Sequence, residues 1–419
     1  MLYYLFEYLY KDLNIPGAGV FRFITFRAGL AIVLSLFISI VFGKKIINHL
    51  RKKQIGESVR DLGLAGQKEK EGTPTMGGVI IVLAIVVPCL LVARLDNVYV
   101  ILMLISTLWM ASIGYIDDYI KVVKKDKDGL KGIFKVIGQI GLGLIVAFTM
   151  LISNDVTIRM TPQEALAGGY KVVKTVEVED PNMKGQMVEM VHAKAAITNV
   201  PFFKNNQLDY GKLFDFFNMN SQTLLWIVFV TSVVFIITAI SNAANLTDGI
   251  DGLATGVSAT IGAVLAVFAY LSGNSVFAEY LNIFFIPNSS ELVIFSACFI
   301  GACTGFLWHN SFPAKVFMGD TGSLTLGGII AALAIVLRKE LLLPVLCGIF
   351  VVENLSVIIQ RYYFKYTKKK YGEGKRIFLM APIHHHFQKQ GYHEAKIVTK
   401  YCSVAIVLAV MTILTLKIR

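Results

Sequence analysis

Five aspartates, three consecutive histidines and a handful of amides and lysines fall where apolar blocks of this chain end. Asp117 and Asp118 close one block, Asn242, Asn245, Asp248 and Asp251 join two others, Asn310, Lys315 and Asp320 join a further two, and His384, His385 and His386 lie in a basic loop. Lys70 precedes another block. Clustered carboxylates repel unless cations compensate. The compensation on offer is a divalent metal together with Lys70 and the histidines. Mg²⁺ prefers oxygen ligands and characteristically takes one or two carboxylates alongside substrate phosphates. Zinc would want fixed Cys/His spacing, which is absent here. The five cysteines, Cys89, Cys298, Cys303, Cys347 and Cys402, all lie in or beside apolar blocks and read as reduced, structural thiols.

Each motif also has a plainer reading. Asp117-Asp118 could merely flank a helix end, and on a helix the two side chains diverge by about 100°, so they cannot do one job. In SNAANLTDGIDGL the polar positions recur every third residue, which on a helix makes a single drifting polar face, and Gly249 and Gly252 would let a ligand approach the backbone. A merely solvated loop would not need that spacing. Met318–Ser323, MGDTGS, is weak evidence alone. The Pro-preceded APIHHHF in a basic loop suggests phosphate binding.

The elements that must position these residues are apolar. The chain has 419 residues, 55% hydrophobic and only 16% charged, where a soluble domain carries about 25% charge. Ten blocks have the length of a bilayer-crossing helix: Phe23–Phe42, Met76–Val92, Val98–Ile116, Ile133–Ile152, Leu224–Ile240, Leu253–Leu271, Leu292–Trp308, Thr321–Leu337, Leu341–Ile359 and Ile397–Leu416. The fold class expected is an all-α integral membrane protein of about ten transmembrane helices, a single polytopic domain over 1–419. The first residues lack a positive n-region and a clear cleavage site and read as mature protein. Arg27, Lys135 and Lys400 sit near block ends, where they can snorkel. Glu353 and Asn354 lie well inside the ninth block, and two readings stay open: an interhelical hydrogen bond, or a lining for a polar cavity.

The net charge of +12 is carried asymmetrically. The loops Lys44–Lys70, Lys121–Lys131 and Arg361–Lys396 hold 22 Lys and Arg, whereas the short loops after the second, sixth and eighth blocks hold only Arg94, Arg338 and Lys339. The positive-inside rule therefore puts the loops after odd-numbered blocks, and with them the aspartates, amides, lysines and histidines of the opening paragraph, in the cytoplasm. Both termini then lie outside. A basic membrane protein of this kind calls for no nucleic acid partner. The loop 153–221 is long and mixed in charge. Its KVVKTVEVED, with DPN and MKG turn signals and QMVEMV following, reads as a small extracytoplasmic β-hairpin.

Five stretches together carry a resemblance: GTPTMGG (Gly72–Gly78), GYIDDYIKVVKKDKDGL (Gly114–Leu130), NAANLTDGIDGLA (Asn242–Ala254), FLWHNSFPAKVFMGDTGSL (Phe306–Leu324) and RIFLMAPIHHHF (Arg376–Phe387). They resemble the polyprenyl-phosphate N-acetylhexosamine-1-phosphate transferase superfamily, and APIHHHF and PTMGG are similar to its muramoyl-pentapeptide branch. The resemblance runs from about Phe21 to Arg419, apart from Thr157–Ala196, which is longer than that family leads one to expect. It implies transfer of phospho-N-acetylmuramoyl-pentapeptide from a UDP donor to undecaprenyl phosphate in the bacterial inner membrane, with UMP released on the cytoplasmic face. It further implies Mg²⁺ on Asp320, Asp117 and Asp118 near the lipid phosphate with one as base, and catalytic roles for His384, His385 and His386. Asp248, Gly249, Asp251 and Phe317 would hold the uridine diphosphate, Lys70 and the histidines would contact phosphates, and Asn245 and Asn310 would line the cleft. A homodimer is compatible with all of this. Two rival readings are a UDP-N-acetylglucosamine transferase of the same superfamily and a secondary transporter, against which stands the clustering of polar groups on one face.

Overall fold

The computed structural model describes residues 1–52, 72–126, 128–179, 187–201, 207–211 and 222–417. Lys70 lies outside them. A short amphipathic helix, α1 (Leu2–Lys11), precedes the long α2 (Ile24–Lys52). Then come α3 (Gly78–Val92), α4 (Val98–Val123), α5 (Gly132–Ile152), α6 (Gln222–Thr247), α7 (Leu253–Ser272), α8 (Leu292–Asn310), α9 (Gly319–Val336), α10 (Gly348–Tyr371), the two-turn α11 (Ile383–Lys389) and α12 (Glu394–Leu414).

Among the described residues, eight helices are long and apolar enough to cross a membrane, or nine if the broken helix Glu340–Leu346 plus α10 counts as one. The remaining expected block is α3. Its 15 residues rise about 22 Å at 1.5 Å each, short of a hydrocarbon core of about 30 Å. The ninth block is the larger departure. It is interrupted at Cys347, and its two halves meet at 77°, so Glu353 lies near the start of a redirected helix rather than mid-way along a straight span.

The helix α9 is the centre of the bundle: 89% of its apolar window is buried, against 22% for α6 and for α12. Gly322, Gly327, Gly328, Ala331, Ala332 and Ala334 on α9 allow close packing of the kind that drives helix association in lipid, where no hydrophobic gain is available. At its cytoplasm-assigned end this closeness serves the site. A Cβ on Gly114 of α4 would lie 2.2 Å from the carbonyl oxygen of Asp320. Only glycine there lets the first turn of α9 rest against α4, one turn before Asp117.

The expected hairpin is present, β2 (Lys171–Glu179) against β3 (Met187–Lys194), antiparallel from Lys171↔Lys194 to Glu179↔Met187. The sequence reading missed its company. A short strand, β1 (Ile158–Met160), flanks β3, and β4 (Ile197–Asn199) pairs with β5 (Gln207–Asp209).

Candidate active site

The C-terminal end of α4 carries Asp117 and Asp118, and the first turn of α9 carries Asp320. One carboxylate oxygen from each of the three lies within 4.8 Å of the others. The α-helical divergence of Asp117 and Asp118 gives them separate tasks. Asp118, buried, accepts from the backbone N–H of Asp320 at 3.0 Å and from the N–H and hydroxyl of Thr321 at 2.9 and 2.5 Å. It therefore caps α9 from a neighbouring helix, satisfying N–H groups that the helix start would leave orphaned. Asp117, fully buried, accepts from the Leu130 N–H at 2.7 Å, which fixes the turn leading into α5.

Among the described residues, two lysines stand beside the acids. Lys121, one helical turn after Asp117, sits 2.6 Å from Asp117 Oδ2 and 3.4 Å from Asp320. Lys135, from the first turn of α5, lies 3.0 Å from Asp117 Oδ1 and donates to Asp320 Oδ2. Reading Lys135 as a snorkelling side chain missed this. For Lys121 the signal was available, since an acid and a lysine four residues apart share a helix face. Among the contacts of the three consecutive histidines, His384 pairs with Glu353, the Nδ1 of His385 pairs with Gln388 at 2.6 Å, and His386 Nδ1 accepts from the Leu379 N–H at 3.1 Å. Asn245 on α6 completes the aspartate cluster, donating to Asp320 Oδ1 at 2.9 Å and Ser323 Oγ at 2.8 Å. Asn242 turns away, to Gln139 of α5.

Among the described residues, three carboxylates face two ammonium groups, one negative charge more than the positive. The donor chemistry of the cluster fits a hard divalent cation, which takes carboxylate, phosphate and water oxygens.

A second node ties the loops around the cluster. Asn310, buried, accepts from the Gly252 N–H at 3.0 Å and donates to the Val316 carbonyl at 2.9 Å, and Asp251 accepts from the Ala314 N–H at 3.0 Å. These two residues thus join the α6–α7 turn to the α8–α9 loop. Phe317, half-buried in that loop, pairs its backbone with the Pro74–Gly77 stretch, through Phe317 N–H to Pro74 O and Gly77 N–H to Phe317 O, both 2.8 Å. The α6–α7 turn, with Asp248 and Gly249, meets the histidine helix α11 at a third node. There a Cβ on Gly249 would sit 2.1 Å from His384 Nε2. All five quoted stretches are thereby drawn to one end of the bundle.

The comparisons agree with that convergence. A profile described as glycosyl transferase family 4 matches residues 183–338, and phospho-N-acetylmuramoyl-pentapeptide-transferase signature 1 matches residues 70–82. Similar proteins include the phospho-N-acetylmuramoyl-pentapeptide-transferases of Flavobacterium psychrophilum, 57% identical over 419 residues, Flavobacterium johnsoniae, 56% over 419, and Parabacteroides distasonis, 54% over 434. Each alignment covers 100% of both chains.

Proposed function

The chain belongs to the phospho-N-acetylmuramoyl-pentapeptide-transferase family, and we propose that the Asp117–Asp118–Asp320 cluster is where it performs that family's reaction. It is a multi-pass membrane transferase that moves phospho-N-acetylmuramoyl-pentapeptide from a UDP donor to a polyprenyl phosphate, undecaprenyl phosphate in our reading, and releases UMP. The observation that carries the site is the convergence of three carboxylates from two helices, with Lys121 and Lys135 between them.

One pyrophosphate link replaces another, so positioning and charge neutralisation do most of the work around an in-line attack. A Mg²⁺ ion held by Asp320 would supply Lewis-acid stabilisation of the pyrophosphate. Lys121 and Lys135 add fixed positive charge on the same side. Asp118, whose oxygens accept from the start of α9, acts by positioning Asp320, and we assign the base that takes up the proton of the lipid phosphate to Asp117, which faces the two lysines. That phosphate attacks directly. It is a competent nucleophile once deprotonated and needs no covalent enzyme intermediate. On the donor side, Asp248 and Gly249 would lie along the uridine diphosphate, with Asp251 and Asn310 holding the loops that frame it and Phe317 stacking on uracil. His384, His385, His386 and Lys70 would meet phosphates. The Lys and Arg asymmetry supports a cytoplasmic site, both termini outside and residence in the inner membrane.

Release of UMP from UDP-N-acetylmuramoyl-pentapeptide by the detergent-solubilised chain should require polyprenyl phosphate, stop with EDTA and resume with Mg²⁺. Turnover without any membrane gradient separates an enzyme from a transporter. Equal use of UDP-N-acetylglucosamine, or a burst of UMP without lipid, would overturn the donor assignment or the direct route respectively.

A further inference from the structure

The broken helix α10 places a fully buried acid, Glu353, beside the histidine helix α11. Glu353 has no solvent exposure, and its Oε2 lies 3.0 Å from the Nδ1 of an equally buried His384. The Tyr401 hydroxyl of α12 interacts with the same carboxylate. A carboxylate only accepts, so Nδ1 carries the proton. The far nitrogen, Nε2, is buried and has no hydrogen-bond partner. It is aimed at the turn between α6 and α7, close enough that a Cβ at position 249 would collide with it at 2.1 Å.

We infer that Glu353 is a positioning residue for the donor-nucleotide side of the site, holding the His384 ring so that Nε2 faces the Asp248-Gly249 turn and meets the bound nucleoside diphosphate. The inference rests on the reading that this turn receives the UDP donor. Two independent features separate it from a plain interhelical hydrogen bond. A purely structural imidazole in a dry interior would have both nitrogens satisfied, and His384 has one. A purely structural contact would also not need the opposing residue to lack a side chain, and position 249 is glycine. The arrangement parallels the way a carboxylate behind a ligating histidine fixes its tautomer and ring orientation. It also gives the three histidines different tasks: His385 and His386 have Nδ1 tied within or beside their own helix, whereas His384 is gripped from α10.

The test uses the full-length, detergent-solubilised chain, with UMP as the binding probe and the Glu353→Leu and Glu353→Gln variants. Glu353→Leu should raise KM for the UDP donor about tenfold or more, the size expected when an orienting partner is lost, and leave KM for polyprenyl phosphate unchanged. Glu353→Gln keeps an acceptor oxygen for Nδ1–H and should recover most of the donor KM. In the unmodified protein labelled with ¹⁵N-histidine, His384 should show a protonated Nδ1, and its Nε2 resonance should move when UMP is added. This arm decides the matter if Glu353→Leu does not fold. A rise of both KM values together, no change in either, or an Nε2 resonance indifferent to UMP would overturn the inference. Failure of the unmodified chain to release UMP would instead overturn the transferase reading itself.

Discussion

Two clusters of buried charge occupy opposite ends of α4, and they are built on opposite plans. Beyond the N-terminal end, Arg27 of α2 forms a bidentate pair with Glu291, at 2.8 and 2.6 Å. Glu291 also accepts from the Arg94 N–H at 3.2 Å, and the Arg27 guanidinium lies 4.6 Å from the centre of the Tyr3 ring of α1. Charge is balanced there, one against one, and water is excluded. At the C-terminal end, three carboxylates share two lysines, and Asp320 keeps 15% of its side chain exposed. The first arrangement is closed and holds α1, α2, α3 and α8 together. The second is open and carries an imbalance that a cation and phosphates can correct. Burial of charge alone does not tell a structural site from a working one; the balance of the charge and its access to solvent do.

The largest effect follows from the open cluster. Asp320→Asn keeps the shape and removes the charge that would bind the metal, while one of the two donors, Asn245 or Lys135, retains an oxygen to meet. Turnover should fall by about 10²–10³, the usual cost of one key electrostatic stabiliser. The thermal unfolding temperature should hold or rise, because one of three crowded carboxylates is gone. Near-normal turnover with an unchanged Mg²⁺ requirement would move the metal to Asp117 or Asp118.

The closed cluster should answer the other way. Arg27→Met strands Glu291 in the bundle, which typically costs about 3–5 kcal/mol for a buried pair broken on one side. The unfolding temperature should drop clearly. Turnover per folded molecule should stay within about twofold, since the sites share no partners. The double change Arg27→Met with Glu291→Leu should regain most of the lost stability, because apolar pairs often replace buried ion pairs without penalty. If the double variant is no more stable than the single one, the pair is not the balanced lock its geometry describes.

Much of this was legible from local pattern. Block lengths located most of the helices, and the recurrence of Asn242, Asn245, Asp248 and Asp251 marked the end of α6 and the turn after it. The period-two run at Lys171–Glu179 marked a strand. What escaped depends on tertiary geometry. Pro344 and Gly348 flank the 77° break at Cys347, but block length alone reads straight through them, so Glu353 read as an acid well inside a span. Asp118 was placed by the resemblance near the lipid phosphate with Asp117, because its role as a cap depends on where α9 starts, some 200 residues later. Lys135 read as a snorkelling side chain, because its acidic partners lie on other helices.

The smallest effect belongs to the insertion, which is itself two regions. Its base is docked. The Arg159 N–H donates to the Phe285 carbonyl at 3.1 Å, and the Arg159 guanidinium lies 4.0 Å from the centre of that ring. The whole of β4 is buried, with the Thr198 hydroxyl and the Asn199 N–H both donating to the Arg338 carbonyl at 3.1 Å. Lys339 reaches the Asn199 side chain, and the Tyr210 hydroxyl donates to Glu340 at 2.9 Å. The distal hairpin is open: Met187 and Val188 are 61% and 38% exposed, and past Thr175 none of the described strand residues is buried. Replacing residues 177–189 with Asn-Gly would close the hairpin at the Val176–Met190 pair through a two-residue turn suited to that twist. Turnover in detergent should then stay within about twofold of the parent, and stability within about 0.5 kcal/mol, as for changes remote from packed features. Lys339→Met, at the docked base, should lower the unfolding temperature instead. A hairpin deletion that folds but no longer turns over would show that this outer region reaches the chemistry across the bundle, and would break the division between closed and open ends.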